Sequence, residues 1–293
     1  MTTDICDLSR CVRAGGCDLH MHSRASDGTL SPAELAVAVS ESGLKTVALT
    51  DHDSVSGVAD MQTALSELAA SGQPVPRLIP GTELSVDGYG RELHLLGYFV
   101  SGDPMDLQPY LAEHMATRMA RNRLLCERLQ ALGYGLTIDE LLREAGGRQA
   151  GRPHAACLLC KKGYFSSVQA AFEALLADGR PGYVPRHRAP VEAAIAAIRR
   201  AGGVPVLAHP ALYGWTRDPG KLSANLAGLQ AVGLAGVEVI HGETRRADSA
   251  VIAAAAERLG LLRTVGSDFH GANKPHVPLI DATADFSPWL GGP

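Results

Sequence analysis

Histidine and aspartate recur in three short segments, each of which directly follows an apolar stretch. The segments are Asp18-Leu19-His20-Met21-His22-Ser23, Thr50-Asp51-His52-Asp53 and Ser267-Asp268-Phe269-His270. Imidazole and carboxylate donors without a thiolate suit divalent cations such as Zn, Mn or Fe. His20 and His22 can bind one ion together, because alternate residues of a strand face the same side. The segments therefore predict a metal centre for hydrolysis rather than a structural zinc site.

Further candidates occupy the ends or inward faces of other predicted strands, where a barrel of parallel strands places its ligands. Glu83 comes late in the third strand, His209 closes the fifth, and His94 faces inward in the fourth because side chains alternate along a strand. A lone histidine at a strand end is usually a packing residue, but recurrence at five strands favours one shared centre. Asp18 and Asp51 lie beside candidate ligands, and we expect them to orient an imidazole rather than to bind metal.

Short apolar runs alternate with alanine-rich helical patterns over most of the chain. The apolar runs predict seven strands, at about residues 17–22, 46–50, 78–84, 93–100, 204–208, 236–240 and 262–266. Ser31-Pro32-Ala33-Glu34 is a capping box that begins a helix running to Gly43, and further helices are predicted at 58–70, 191–201, 222–232 and 245–259. Strands that alternate with helices of this length predict parallel pairing and a closed or nearly closed α/β barrel.

The alternation stops between residues 102 and 186, where only helical patterns occur, at about 107–132, 137–145, 154–162 and 168–176. Residues 1–101 and 187–293 are therefore predicted to form the barrel, and residues 102–186 a small helical insertion that covers its mouth. Cys157-x-x-Cys160 lies in one of these helices, with no second pair to complete a metal site, so we expect both thiols to pack there.

Composition is that of an ordinary soluble globular protein, with 293 residues, 46% hydrophobic, 20% charged and a net charge of -4. The chain shows neither an apolar run of about 18 residues nor a hydrophobic signal core, so a cytoplasmic location without membrane contact is predicted. Mild acidity gives no electrostatic footprint for duplex DNA. Six cysteines in a chain of this length do not make a disulfide framework. Nothing in the sequence implies an obligate protein partner.

The ordered motifs resemble those of the PHP (polymerase and histidinol phosphatase) family over roughly residues 17–101 and 187–270. The motifs are Asp18-x-His20-x-His22-Ser23, Ser26-Asp27-Gly28, Thr50-Asp51-His52-Asp53, Gly81-x-Glu83, Ala208-His209-Pro210 and Ser267-Asp268-Phe269-His270. The segment from Ser26 to Leu35, together with Gly151-Arg152-Pro153-His154, further resembles the TrpH-like branch. Members of that branch are phosphoesterases that act on nucleotide or RNA phosphates.

The resemblance implies a distorted (β/α)7 barrel that binds two or three divalent metal ions. His20, His22, Glu83 and Asp268 would hold the first ion, Glu83 would bridge to a second completed by His94 and His209, and Asp27, His52 and His270 would hold a third. A metal-activated hydroxide would then attack phosphorus, with no protein nucleophile. The expected substrate is a small phosphorylated nucleotide or short RNA, such as a nucleoside 3',5'-bisphosphate or a 5'-phosphorylated oligoribonucleotide.

A phosphate ester also needs a cation outside the metal shell, and guanidinium matches two phosphate oxygens at once. Arg152 and His154, at the start of an insertion helix, are the candidates; the alternative is an exposed arginine and a capping histidine. His241 is expected either to line the pocket or to pack a loop, and His276 lies in a loop that could touch a substrate phosphate or base. Basic residues that could extend a rim, but are more simply solvated charges, are Lys161, Lys162, Arg186 and Arg188.

Three other functions stay open at this point. A histidinol-phosphate-type phosphatase would use the same metals. A carbon-centred hydrolase resembling amidohydrolases also carries His-x-His on a barrel strand. A metal-dependent binding or proofreading module of a larger assembly is disfavoured, because every ligand position of the resemblance is present.

Overall fold

The computed structural model describes residues 3–146, 150–185 and 188–291, which contain seven strands and eleven α-helices. In chain order these are α1 (Thr3–Ala14), β1 (Cys17–Met21), α2 (Pro32–Glu41), β2 (Thr46–Leu49), α3 (Gly57–Ala70), β3 (Arg77–Gly88), β4 (Arg91–Tyr98), α4 (Gln108–Ala131), α5 (Ile138–Ala145), α6 (Arg152–Lys161), α7 (Val168–Ala171), α8 (Val191–Arg200), β5 (Val204–Leu207), α9 (Pro219–Ala231), β6 (Gly236–His241), α10 (Arg246–Leu259), β7 (Leu262–Gly266) and α11 (Ser287–Leu290). The chain divides into two compact units, one of Met1–Leu111 with Ala189–Pro293, the other of Ala112–Arg188.

The strands form one sheet in the order of the sequence, from β1 to β7. β1, β2 and β3 pair in parallel, and so do β5, β6 and β7. The last strand returns beside the first, where the Asp268 amide donates to the His20 carbonyl at 2.8 Å and the His22 amide donates to the Phe269 carbonyl at 2.9 Å. The sheet is therefore a nearly closed barrel, which confirms the predicted fold class.

The prediction that all strands pair in parallel is wrong for β4, which runs antiparallel to both β3 and β5. Tyr89 and Gly90 connect β3 to β4 with φ angles of 53° and 73°, and a loop of two residues cannot carry the crossover that parallel strands need. His94 lies in the first half of β4, opposite Ser85. Because β4 runs in the opposite direction, this half lies at the same end of the barrel as the carboxyl ends of the parallel strands.

The helices around the barrel each bury one apolar face against it. Leu35 and Val39 of α2 are fully buried, and each such side chain stabilises the fold by about 1.5–3 kcal/mol. The predicted capping box is confirmed, because the Glu34 amide donates to Ser31 Oγ at 3.2 Å and the Ser31 amide donates to Glu34 Oε2 at 2.7 Å. This cap fixes the start of α2 directly after the loop that carries Asp27.

The second unit, Ala112–Arg188, has a hydrophobic core of its own, supplied by α4 to α7 and a π-helix at Phe172–Leu176. Cys157 and Cys160 lie half-buried on α6 as free thiols, as predicted. No helix in the described part of the chain combines the length and apolar character that a membrane crossing needs. The fully buried leucines of this core are Leu125, Leu129, Leu136, Leu141, Leu159 and Leu176.

Candidate metal centre

Glu83 lies near the middle of β3 and at the centre of a histidine cluster, and its side chain is buried. Its Oε1 is 2.9 Å from His94 Nδ1 and 3.0 Å from His209 Nε2. His209 follows β5, so the antiparallel strand β4 and the parallel strand β5 bring their histidines to the same carboxylate oxygen.

The other oxygen, Glu83 Oε2, faces a different set of imidazoles. It lies 3.2 Å from both His20 Nε2 and His22 Nε2, and 3.1 Å from His52 Nδ1. Asp268 Oδ1 lies 3.4 Å from His20 Nε2 and 3.2 Å from His22 Nε2. Four residues, from β1, the residue after it, β3 and the loop after β7, therefore present one donor atom each within a common space.

Asp27 forms a second group at the outer edge of the cluster. Its Oδ1 lies 3.2 Å from His270 Nε2 and 3.7 Å from His22 Nδ1, and its Oδ2 lies 3.9 Å from His52 Nε2. The Asp27 side chain is 54% exposed, so this group opens to solvent, whereas Glu83 itself is buried. The structure thus brings all nine sequence-predicted metal ligands into one connected cluster.

The orientation of the donors fits metal ions better than hydrogen bonds. His20 Nε2, His22 Nε2 and Glu83 Oε2 are buried and make no hydrogen bond within the described residues, although nitrogen and oxygen lie 3.2 Å apart. Buried polar atoms are rarely left in this state. Lone pairs that point at a common space rather than at each other are suited to a cation between them, and nitrogen and oxygen donors fit Zn, Mn or Fe.

The carboxylates of the cluster are held in their ionised form. Burial acts to raise the pKa of Asp268, but His20 and His22 outweigh it and lower that pKa well below its ordinary value. The pKa of Glu83 is lowered in the same way, against burial, by His52 and His20. Burial acts to lower the pKa of His22, but Asp268 and Glu83 outweigh it and raise that pKa to about 9. For His52 burial is the larger effect and lowers the pKa to about 4. Protons and cations therefore compete for the same atoms.

Asp18 and Asp51 are buried beside the cluster, but their hydrogen bonds differ from the prediction. Asp18 accepts from the amides of Ser267 at 2.9 Å and Ile280 at 3.1 Å, and so ties β1 to the segments after β7. Asp51 accepts from Ser23 and Ser26 and so shapes the loop after β1. Each carboxylate therefore orients backbone or hydroxyl groups rather than an imidazole, and Asp18 contacts His20 only through the His20 amide, at 3.3 Å.

Glu238 is a buried acid that the sequence reasoning missed. It lies in β6, its Oε1 is 2.9 Å from His20 Nδ1, and its Oε2 accepts the His209 amide at 2.9 Å. One signal could have found it, since Glu238 is the charged residue of the apolar run Gly236-Val237-Glu238-Val239-Ile240. A buried charge needs a partner.

Lys274 is a second residue that the sequence reasoning missed. Its ammonium pairs with Asp268 Oδ2 and lies 3.6 Å from Glu243 Oε2, with 30% of its side chain exposed. Lysine in a loop gives no signal of its own, because most such residues are solvated charges.

Backbone strain concentrates at the cluster. Asp53, His209 and Asp268 have φ angles of 45°, 31° and 63°, a region that residues other than glycine rarely occupy. Asp53 Oδ1 accepts the Ser85 amide at 2.9 Å, which holds the bend after β2 against β3. Strain of about 1–3 kcal/mol per residue persists only where surrounding contacts determine the geometry, and it is frequent at active sites.

His241 lines the cluster, since its buried Nε2 lies 3.2 Å from Asp268 Oδ2, which favours pocket lining over loop packing. His276 is 67% exposed and lies 3.2 Å from Glu243 Oε1.

Arg152 and His154 both lie half-buried in the first turn of α6. Arg152 donates to the Leu176 carbonyl at 3.2 Å and lies 5.2 Å above the Tyr183 ring, so part of its guanidinium supports its own unit.

Lys161 and Lys162 pair with Glu144 and Glu140, each at 2.7 Å, as surface charges do. Of the other two predicted rim residues, Arg188 is described and half-buried, whereas Arg186 lies outside the described residues.

Comparison with known proteins places the motifs and the barrel together in one family. A family model described as the PHP domain matches residues 18–170. The chain is 33% identical over 257 residues to the 5'-3' exoribonuclease Rnm of Salmonella typhimurium, an alignment that covers 86% of this chain and 84% of that protein. It is 32% identical over 254 residues to the 3',5'-nucleoside bisphosphate phosphatase of Chromobacterium violaceum, covering 86% of each.

A solved structure from Bifidobacterium adolescentis, described as a metal-dependent phosphoesterase, matches with a TM-score of 0.72. The two chains are 30% identical, and the match covers 94% of each. Sequence, barrel and cluster agree, and the chain therefore belongs to the PHP domain family and is a metal-dependent phosphoesterase.

Proposed function

We propose that this phosphoesterase acts on a nucleoside 3',5'-bisphosphate or a short 5'-phosphorylated oligoribonucleotide. The catalytic part of the proposal rests on Glu83, whose two oxygens face different sets of imidazoles at 2.9–3.2 Å. A carboxylate with donors on both sides is suited to bridge two cations. The nucleotide part rests on the relatives, of which one is an exoribonuclease and one a bisphosphate phosphatase. A cytoplasmic location stays a prediction.

The metal ligands divide into three sets around the bridging Glu83. The proposed sets are His20, His22, Glu83 and Asp268 for the first ion; Glu83, His94 and His209 for the second; and Asp27, His52 and His270 for the third. Mn, Zn and Fe all suit these donors. Bound there, such ions would lower the pKa of water towards neutrality and neutralise the phosphoryl oxygens.

Lys274 supports an anionic substrate, because it adds positive charge beside the proposed ligands. Its ammonium pairs with Asp268 and remains partly exposed, so it can donate to a phosphoryl oxygen and hold the ester against the cluster. Arg152 and His154 stay proposed as further phosphate contacts. The insertion that carries them is proposed to cover the barrel mouth.

The serine hydroxyls of the first loop support attack by water rather than by a protein nucleophile. Ser23 Oγ donates to Asp51 Oδ2 at 2.7 Å, and Ser26 Oγ donates to Asp51 Oδ1 at 2.6 Å. A hydroxyl nucleophile requires an adjacent general base that takes its proton. Both serines are buried, and Asp51 also accepts the Ser23 amide at 2.7 Å, so Asp51 anchors the loop and neither hydroxyl is exposed to a substrate.

The test is phosphate release from a panel of esters by protein whose metal content has been measured. The panel contains nucleoside mono- and bisphosphates, 5'-phosphorylated trinucleotides, histidinol phosphate, and amide or lactone substrates. We expect release from the bisphosphate or the trinucleotide, and loss of activity after chelation that divalent metal restores. Preference for histidinol phosphate would overturn the substrate class, and turnover of amides alone would overturn the reaction class.

Lys274 variants sharpen the same test. Lys274→Gln should raise KM for the nucleotide about tenfold or more, because a charge-assisted hydrogen bond contributes about 1.5–3 kcal/mol, whereas Lys274→Arg should keep most of the affinity. The matched control is Lys221→Gln, in which an exposed lysine of α9 loses the same charge. Equal KM values for Lys274→Gln and the control would show that Lys274 does not bind the substrate.

A further inference from the structure

Glu238 connects two proposed ligands that belong to different parts of the barrel. Its Oε1 lies 2.9 Å from His20 Nδ1 on β1, and its Oε2 accepts the backbone amide of His209 after β5 at 2.9 Å. The opposite nitrogen, His20 Nε2, faces Glu83 and Asp268 at 3.2 and 3.4 Å. The carboxylate thus lies behind the imidazole, on the side away from the cluster.

The packing around this contact leaves no freedom for the ring. The side chains of His20 and Glu238 are fully buried. Gly266 of β7 passes so close that a Cβ at that position would lie 2.2 Å from His20 Cβ and 2.8 Å from Glu238 Oε1. Only glycine allows β7 to close over the pair, so the two side chains are held between β1, β6 and β7.

We propose that Glu238 is a positioning residue that fixes the tautomer of His20 and the position of His209. An ionised carboxylate offers only acceptors, so His20 Nδ1 carries the hydrogen and donates it to Glu238. Nε2 then keeps its lone pair, which is the atom that faces Glu83 and Asp268. The second oxygen holds the backbone at His209, where φ is 31° and therefore needs support. This inference rests on the proposed metal cluster.

The decisive variant is Glu238→Gln, which preserves volume but replaces one acceptor with a donor. If the amide oxygen accepts from His209, the amide nitrogen faces His20 Nδ1, which must then accept and leave the hydrogen on Nε2. Nε2 with a hydrogen cannot bind a cation. If the amide turns round, its nitrogen faces the His209 N–H and that contact is lost. Either arrangement disables one ligand.

The experiment measures zinc affinity by competition with a fluorescent chelator, alongside the ring signals of His20 in zinc-loaded protein by nitrogen-15 NMR. Wild type should show a hydrogen-bonded Nδ1–H on His20. Glu238→Gln should bind zinc about 10–100-fold more weakly, the usual effect of removing such a partner. Its Nδ1–H signal should disappear in the first amide arrangement, and should shift in the second, where a neutral amide oxygen replaces the carboxylate. Activity of the variant should recover in part as zinc concentration rises. A purely structural role would lower thermal stability without moving the NMR signal.

Glu257→Gln on the exposed face of α10 is the matched control and should change none of these values. Should Glu238→Gln not fold, Glu238→Asp carries the test, because its shorter side chain can reach His20 or His209 but not both. Wild-type zinc affinity and an unchanged His20 signal in the folded variant would overturn the inference while leaving the proposed function intact. A wild-type protein that binds no divalent metal would overturn the proposed function itself.

Discussion

Glu83 is the residue on which the cluster depends most, because five histidines lie within 3.2 Å of its two oxygens. We predict that Glu83→Gln lowers both metal affinity, and with it the metal retained after dialysis, and kcat/KM. Each should fall by more than about 100-fold, since even a partner outside the coordination shell contributes about 10–100-fold. Elemental analysis and phosphate release measure the two effects. Glu67→Gln, on the exposed face of α3, should leave both unchanged. Full metal content in Glu83→Gln would contradict the bridging role.

At the scale of elements, the hairpin between β3 and β4 decides where His94 lies. Gly90 has a φ of 73°, so Gly90→Ala should lower the free energy of unfolding by about 1–2 kcal/mol, the strain of a left-handed residue with a Cβ. Chemical denaturation measures the loss. Within the described part of the chain, no heavy atom outside its immediate neighbours lies within 4 Å of a Cβ at this position, so strain is the cause rather than a clash.

Gly220 provides the control for the hairpin, because it lies in helix α9 and has no positive φ. Gly220→Ala should change the free energy of unfolding by less than about 1 kcal/mol, since the preference of a helix for alanine over glycine offsets the 3.3 Å approach of its Cβ to Asp218 Oδ1. Equal losses in both variants would mean that a Cβ destabilises this fold wherever it is added, and that the turn has no special role.

For the whole molecule, stability without metal should depend on pH in two directions. Burial lowers the pKa of His22 and His94, but Glu83 and neighbouring acids outweigh it and raise them from 6.5 to about 9 and about 10. Their stabilisation is complete below about pH 6.5 and is lost as pH rises through those values. The lowered pKa values of Glu83 and Asp268 give stabilisation that is present above about pH 4.5 and lost as pH falls.

We therefore predict that the Tm of chelator-treated protein is highest near pH 6.5. It should fall below that pH, because burial lowers the pKa of His52 to about 4 and the unfolded chain then binds the proton more readily, and it should fall by several degrees towards pH 10. Metal-loaded protein should hold its Tm over the alkaline range, because the cation binds only the folded state and replaces the protons. Differential scanning fluorimetry of both forms checks this, and metal addition at pH 8 should release protons into a weak buffer. A metal-free Tm that rises from pH 7 to 10 would refute the prediction.

Local patterns were sufficient to predict most elements and eight of the nine proposed ligands, whereas Asp27 came only from the resemblance to the PHP family. The cap at Ser31 and Glu34 was readable because it is a contact between residues three apart. His20 and His22 were readable because side chains alternate along a strand. The alternation of helices and strands predicts a parallel β4, but the short Tyr89-Gly90 connection makes the strand antiparallel.

The sequence by itself determined the types of donor atom, their order along the chain and the barrel that gathers them. Only the tertiary structure decided which group orients which ring. Asp18 and Asp51 were expected to hold imidazoles because they are close in sequence, yet Glu238, 218 residues away from His20, makes that contact. The physical reason is that a buried hydrogen bond is selected by distance and direction in space, which strand packing sets and sequence separation does not.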